Sequence, residues 1–205
     1  MRLGYADLIG GRLNLPLSTG GTTADLATIT VVSNPHAPGE RALARVLANL
    51  DNQVALVDAR ARAHGQTRVL GQTRDAPWQE ALVVQAGQPL HLTLTWRALS
   101  SPRDSYTVFV HLLDGANRPV FGHDDTPLGG SFPTYLWFPK WLPGQTVDDP
   151  YRLTLPADLP PGDYALEVGM YGMTSHRRLS VVDLAGDLAG DRVVLGPVRV
   201  VRALP

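Results

Sequence analysis

Two histidines and an adjacent aspartate are the residues of this sequence best suited to hold a metal ion. His111 lies in the strand-like segment "YTVFVHLLDG", and His123 precedes Asp124 in "FGHDD". If the chain turns back between these segments, two imidazoles and a carboxylate meet, which suits zinc or another divalent ion. However, His111 alternates with apolar residues such as Phe109, which favours a packed strand histidine hydrogen-bonded to a neighbour such as Asp124. We therefore predict no metal and no cofactor, with His111, His123 and Asp124 as the alternative metal site.

An aromatic cluster in the segment "FPTYLWFPKW" is the second candidate site. It contains Phe132, Tyr135, Trp137, Phe138 and Trp141. Exposed aromatic rings stack on the apolar faces of sugars, and tryptophan and tyrosine are also typical of protein interfaces. A third interpretation is a hydrophobic plug that closes one end of the fold. We predict Tyr135, Trp137, Phe138 and Trp141 as ligand-binding residues, for glycan or protein, with the plug as the structural alternative.

Sequence motifs for catalysis and nucleotide binding are absent. No serine lies in a G-x-S-x-G nucleophile elbow, and neither a G-x-G-x-x-G nor a Walker sequence occurs. The chain has no cysteine, which excludes disulfides, iron–sulfur clusters and thiolate zinc sites. Its 18 basic and 19 acidic residues are spread along the chain, so their balance indicates neither nucleic acid nor an anionic membrane as a partner. We therefore predict that the protein is not an enzyme and binds no nucleic acid.

Composition and hydrophobic spacing indicate an all-β protein. Of 205 residues, 20 are glycine and 17 are proline, while only 18% are charged, which suits a chain with many turns. The segment "PLHLTLTWRAL" alternates strictly, with Leu90, Leu92, Leu94 and Trp96 on one face, as a half-buried strand does. We therefore place Trp96 in the core.

Further strands follow at the spacing of a β-sandwich. A first strand is predicted at 81–85, a central one at "YTVFVHLL", and a short return strand at 119–122 completes a hairpin. After an irregular stretch at 123–150, "YRLTL", "DYALEVGMY" and "DRVVLGPVRVV" supply the closing strands. In "LPADLPPGDY", Tyr164 begins a strand in a manner that resembles the tyrosine corner. We predict an immunoglobulin-like, Greek-key antiparallel β-sandwich with an extra N-terminal hairpin.

The N-terminal quarter is predicted to be a separate part of the chain. "RLGYADLIGGRLNLPL" parallels "EVGMYGMTSHRRLSVV" near the end, because both run Gly, Tyr, a turn and Arg-Leu. Residues 1–35 are therefore predicted as a β-hairpin resembling the tail of a preceding sandwich copy, through which two chains could associate. The apolar spacing in "ERALARVLANL" suits an amphipathic helix, so 36–52 is predicted as a linker or short helix. Residues 53–205 are the predicted sandwich.

Ordered motifs in the rest of the chain resemble a known family. "LTWRAL", "YTVFVHLLD", "DDTP", "FPT", "WLPGQTVDD", "LPADLPPGDYALEVGMY" and "RRL" occur in the order seen in a soluble C-terminal β-sandwich domain. That domain belongs to bacterial membrane glycosyltransferases of the protein-mannosyltransferase and aminoarabinose-transferase type. The resemblance covers residues 45–201. The chain departs from the pattern in lacking the transmembrane body that would hold the catalytic carboxylates, and in a longer "FPTYLWFPKWLPG" segment.

The resemblance implies a non-catalytic, extracytoplasmic accessory module. Its role would be structural or in protein interaction, beside a membrane glycosyltransferase-like protein, and the alternative is a carbohydrate-binding module that uses the aromatic loop. The expected partners are a membrane protein, a glycan or a second copy of the chain. The longest apolar runs are shorter than the ~20 residues of a membrane helix. The N-terminal "MRLGYADLIGG" lacks the apolar core of a signal peptide, so the chain itself is predicted to be soluble.

Overall fold

The structure is a computed structural model, and it describes residues 46–72, 80–102, 104–130, 141–183 and 185–202. Thirteen strands occur within these ranges. They are β1 (Ala48–Leu50), β2 (Val54–Ala63), β3 (Gln66–Val69), β4 (Gly71–Gln72), β5 (Leu82–Gln85), β6 (Pro89–Ala98), β7 (Tyr106–Leu113), β8 (Pro119–Asp125), β9 (Thr146–Thr154), β10 (Gly162–Gly172), β11 (Val181–Val182), β12 (Leu188–Gly190) and β13 (Val193–Val201).

The strands form two sheets that pack face to face. Sheet 1 has the order β12-β11-β1-β2-β6-β9, with β3 also paired to β2. Sheet 2 has the order β4-β13-β10-β7-β8, with β5 also paired to β13. The β5–β13 pair is parallel, and the other pairs are antiparallel.

Consecutive strands cross between the sheets, as in Greek-key sandwiches. The chain passes from β6 in sheet 1 to the β7–β8 hairpin in sheet 2, returns to sheet 1 at β9, and crosses again to β10. Strand β6 therefore lies beside β9, and β7 lies beside β10, although neither pair is consecutive. The prediction of an all-β antiparallel sandwich is confirmed.

Alternation within the strands builds the core. In β6 the side chains of Leu90, Leu92, Leu94 and Trp96 are fully buried, while the residues between them are partly exposed. Strand β7 is buried along nearly its whole length, as its two apolar faces predict. Its inner face contributes Val108, Val110 and Leu112 to the core. On its outer face, Arg178 and Tyr171 pack against Phe109. Trp96 is a core residue, which confirms the sequence prediction.

The tyrosine corner is present at the start of β10. The Tyr164 hydroxyl donates a hydrogen bond to the backbone carbonyl of Pro160 at 2.7 Å. This bond joins the strand to the turn that crosses from sheet 1 to sheet 2, so it holds the crossover against the edge of the sandwich.

Tyr164→Phe should lower the free energy of unfolding by about 1 kcal/mol, since it removes one hydrogen bond and keeps the buried ring. Urea denaturation followed by tryptophan fluorescence measures this loss. Tyr171→Phe is the matched control, because its hydroxyl contacts Asp124 at 3.3 Å in a solvent-exposed setting. Equal stability of Tyr164→Phe and wild type would contradict a structural role for the corner.

The predicted divisions of the chain can be compared with the structure only in part. The predicted hairpin at 1–35, and with it the proposed route of self-association, lies outside the described residues, as does most of 36–52. Within that linker, Ala48–Leu50 is a strand paired with β2 and β11 rather than a helix. Its alternating burial explains the strand, because Ala48 and Leu50 face the core. The sequence also missed the early start of β9 at Thr146.

Candidate functional site

A cluster of ionisable and aromatic side chains lies on the outer face of sheet 2. Successive residues of a strand point to opposite faces, so Phe109 and His111 point away from the core that receives Val108 and Val110. In the register, His111 is opposite Glu167 of β10, and Phe109 is opposite Asp124 of β8. Three neighbouring strands therefore bring a histidine and two carboxylates together on one face.

His111 lies between the two carboxylates. Its Nδ1 is 3.0 Å from Glu167 Oε1, and its Nε2 is 3.0 Å from Asp124 Oδ1. Gly122 lies opposite His111 on β8, where a Cβ would come within 2.8 Å of the imidazole Cδ2. A side chain at position 122 would therefore displace the imidazole from its present position. The predicted hydrogen bond between His111 and Asp124 is present, although His111 packs on an outer face and not between the sheets.

Glu167 is the centre of the cluster. Its side chain is almost completely buried, and besides His111 it accepts hydrogen bonds from Arg178 at 3.0 Å and from Arg192 at 2.6 Å. Burial opposes ionisation of the carboxyl, but the hydrogen bonds from His111 and Arg192 and the positive charge of Arg178 outweigh it. The net result is that the pKa of Glu167 is lowered from its ordinary value.

Aromatic rings complete the outer face. The Arg178 guanidinium lies 4.1 Å from the centroid of the Phe109 ring, a cation–π contact, and Tyr171 stacks beside the same ring with centroids 6.5 Å apart. Gly169 allows this packing, since a Cβ there would come within 2.5 Å of Phe109. An open depression of about 240 Å³ lies over these groups. Its lining residues are Phe109, His111, Asp124, Tyr171, His176 and Arg178.

The three residues named as the alternative metal site do not come together, because the register separates the two histidines. His111 is opposite Gly122, whereas His123 is opposite Val110, so the two imidazoles point to different faces of sheet 2. The His123 ring instead packs edge-on against Tyr151, with centroids 5.7 Å apart. Within the described ranges, no group of three histidine, aspartate or glutamate side chains is placed to hold a metal ion.

The predicted aromatic site is only partly described. Tyr135, Trp137 and Phe138 lie outside the described residues. Trp141 is fully buried, and its indole N–H donates to the carbonyl of Gln145 at 3.2 Å. Trp141 belongs to the hydrophobic core, and its buried ring has no face left for a sugar.

A buried carboxylate that the sequence did not indicate lies on β9. Asp149 accepts hydrogen bonds from the Trp96 indole at 3.3 Å, from the Tyr151 hydroxyl and from the backbone N–H of Leu128 at 2.8 Å. Burial raises the pKa of Asp149 despite these bonds. In the segment "TVDDPYRLT", Asp149 lies two residues before Tyr151, which was predicted to face inward. The period of two in a strand could therefore have identified Asp149 as a core residue.

The sequence also gave no indication of the Glu167 cluster. Glu167 occupies an ordinary outward position in "DYALEVGMY", and Arg178 and Arg192 follow it 11 and 25 residues later. No short motif marks such a set, because its members meet only through the pairing of strands and the return of the chain after β10.

Comparisons with known proteins identify no family. No family model matches the chain, and no curated protein matches it. Among solved structures it is similar to the C-terminal domain of Wzt, with 13% identity over 76% of this chain and 77% of that chain and a TM-score of 0.42. It is also similar to a Niemann-Pick type C2 protein from Japanese carpenter ant, with 8% identity over 64% of this chain and 89% of that chain and a TM-score of 0.37. A third similar structure is a β-glucosidase from Listeria innocua in complex with glucose, with 15% identity over 69% of this chain and 17% of that chain and a TM-score of 0.35.

These similarities assign neither a family nor an activity, and the glycosyltransferase resemblance remains a prediction. In the part of the chain that the structure describes, no helix has the length and apolar character required to cross a membrane.

Proposed function

We propose that this protein is a non-catalytic, extracytoplasmic accessory module with a structural or protein-interaction role beside a membrane glycosyltransferase-like protein. The observation that supports this proposal is the Glu167 cluster on the outer face of sheet 2. Its central carboxylate is held by three cationic or imidazole donors, and an aromatic ring under Arg178 fixes one of them. Such an arrangement presents a rigid, preorganised face, which lowers the entropy cost of binding a partner.

The pairing of the cluster argues for binding rather than acid–base catalysis. A general acid or base must have an oxygen or nitrogen within reach of the substrate proton. Both oxygens of Glu167 already accept hydrogen bonds from arginine, and both ring nitrogens of His111 lie within hydrogen-bond distance of carboxylates. Freeing either group would break several charge-assisted bonds, so the cluster favours a fixed surface.

The rim of the cluster has the composition of an interface. Tyr171 and Arg178 are partly exposed beside the depression, and tyrosine and arginine are among the residues that most often dominate protein–protein binding. Because both side chains are held by Phe109 and Glu167, they would lose little side-chain entropy on contact.

Site-specific photo-crosslinking tests the proposal. p-Benzoylphenylalanine would replace Tyr171 in protein expressed in its own cell, and the control probe would replace Leu188, which is 74% exposed on β12 of sheet 1. We expect an adduct with a membrane protein from position 171 alone, identified by mass spectrometry. An adduct between two copies would indicate self-association instead. Equal labelling from both positions, or none, would contradict an interaction role for this face.

Carbohydrate binding is the second candidate function, now at the depression on sheet 2. Asp124 and Arg178 offer hydrogen-bond partners for sugar hydroxyls beside the exposed edge of Tyr171. A glycan array with wild type, Tyr171→Ala and the surface control Leu188→Ala tests this candidate. Binding that is lost only in Tyr171→Ala would support it, whereas a blank array with folded proteins would leave protein interaction as the proposal.

A further inference from the structure

A row of basic side chains, two arginines and a histidine, crosses the outer face of sheet 1. Arg62 of β2 is directly opposite His91 of β6, and His91 is directly opposite Arg152 of β9. All three belong to the outward positions of their strands, since their neighbours Ala61, Leu92 and Tyr151 are buried. Arg62 and Arg152 are exposed, and His91 is partly exposed.

The row has no acidic partner among the residues that the structure describes. Adjacent strands are about 4.8 Å apart, so the two arginines and the imidazole follow one another across about 10 Å of sheet. In the described part of the chain, the Arg62, His91 and Arg152 side chains make no hydrogen bond or ion pair. The guanidinium N–H donors of Arg62 and Arg152 are therefore available to a ligand.

The acidic residues at the outward positions of β2 and β9 are already engaged. Asp58 forms an ion pair with Arg60 at 2.7 Å, and Asp148 accepts a hydrogen bond from Thr95 at 2.7 Å. Asp58 precedes Arg62 by four residues on the same strand, and Asp148 precedes Arg152 by the same number. At about 3.3 Å per residue these separations are roughly 13 Å, beyond the screening length of about 8 Å at physiological ionic strength.

A depression lies beside the row and gives it the shape of a site. Its volume is about 330 Å³, and Arg62 and His91 are part of its wall. The hydroxyl-bearing Thr67 and Thr93 line it as well, while Pro150 and Tyr151 supply an apolar side. Arg152 lies at the adjoining register position on β9.

We propose that this row binds a phosphate-bearing ligand. Each guanidinium offers a planar fork of N–H donors that matches phosphate oxygens, and His91 offers a ring N–H between the two forks. Two arginines, an imidazole and two threonine hydroxyls together present many hydrogen-bond donors. A single carboxylate has only two oxygens, both in one plane, and cannot accept from all of these donors. A phosphate has its oxygens disposed in three dimensions, and two linked phosphates reach across the row. The proposal is independent of the function proposed for sheet 2.

Isothermal titration with pyrophosphate and flotation with phosphatidylglycerol-containing vesicles test the proposal with the full chain. We expect wild type to bind at least one of the two probes, and Arg62→Gln/Arg152→Gln to bind it at least tenfold more weakly. The matched control is Arg118→Gln/Arg199→Gln, which removes the same charge from the β7–β8 turn and from β13 of sheet 2 and should bind like wild type.

The two probes distinguish the source of the phosphate. Binding of pyrophosphate indicates a soluble ligand, whereas binding of vesicles alone indicates a lipid headgroup, and either result supports the proposal. Binding of neither probe by wild type would overturn it, as would equal weakening in the control variant, which would show attraction by net charge only. Arg62 and Arg152 are exposed and belong to no ion pair in the described residues, so Arg62→Gln/Arg152→Gln should melt like wild type, and loss of folding will not imitate loss of binding.

Discussion

Trp96→Ala should lower the free energy of unfolding by about 3–5 kcal/mol, the cost of removing a buried tryptophan and leaving a cavity. Trp96 is fully buried in β6, where its register partners are Leu56 of β2 and Val147 of β9. The substitution also removes the indole N–H, which donates a hydrogen bond to Asp149 Oδ2 at 3.3 Å. A buried carboxylate that loses a donor adds its own penalty to that of the cavity.

Thermal and urea denaturation measure this effect. For a domain of this size, each kcal/mol lost from the free energy of unfolding lowers the Tm by about 2–4 °C. The Tm of Trp96→Ala should therefore fall by roughly 6–20 °C. Trp96→Phe separates the two contributions, because it restores most of the buried ring but not the donor. Val69→Ala is the surface control, since Val69 is 69% exposed and should change stability by less than about 0.5 kcal/mol. A Tm equal to wild type would remove Trp96 from the core.

Glu167→Gln should lower the free energy of unfolding by about 2–3 kcal/mol at neutral pH. An amide of the same shape keeps the packing but has one oxygen where the carboxylate has two, so one cationic partner faces an NH₂ group that cannot accept. Breaking a fully buried ion pair costs about 3–5 kcal/mol. The smaller value is expected here because the Arg178 and Arg192 side chains are 32% and 40% exposed and can regain water.

The effect of Glu167→Gln should depend on pH in a defined direction. The pKa of Glu167 is lower in the folded than in the unfolded chain, whose value is near 4.5. The stability that its ionised form contributes is therefore complete above about pH 4.5 and is lost as pH falls through the lower, folded pKa. The difference between wild type and Glu167→Gln should shrink over that acid range and be largest at neutral pH.

Comparison of the two proteins at each pH isolates Glu167 from Asp149. Burial raises the pKa of Asp149, so the folded chain favours its protonated form, and its contribution to stability declines as pH rises above 3.8. Asp149 is present in both proteins, and its effect cancels in the difference. Urea titrations between about pH 3 and 7 supply the data. A difference that stays constant over this range would contradict a contribution from the ionised form of Glu167.

Periodicity in the sequence determined much of the fold. The strict alternation of β6 predicted which of its side chains are buried, and the two apolar faces of β7 predicted a covered central strand. The turn before Tyr164 predicted its hydroxyl bond to upstream backbone, and the spacing around His111 predicted its bond to Asp124. These predictions succeeded because each depends on neighbours in one strand or in one hairpin, where the period of two and a short turn decide what meets.

Only the tertiary structure decided which of the outward residues act together. Glu167 gathers Arg178 and Arg192 because the chain returns to β10 after leaving it, and the row of Arg62, His91 and Arg152 exists because three strands pair in one register. A shift of that register by one residue would place each of these side chains on the opposite face, and no local pattern specifies the pairing of distant strands. Local spacing therefore determined the elements and their buried faces, whereas the clusters of outward side chains were set by contacts between distant parts of the chain.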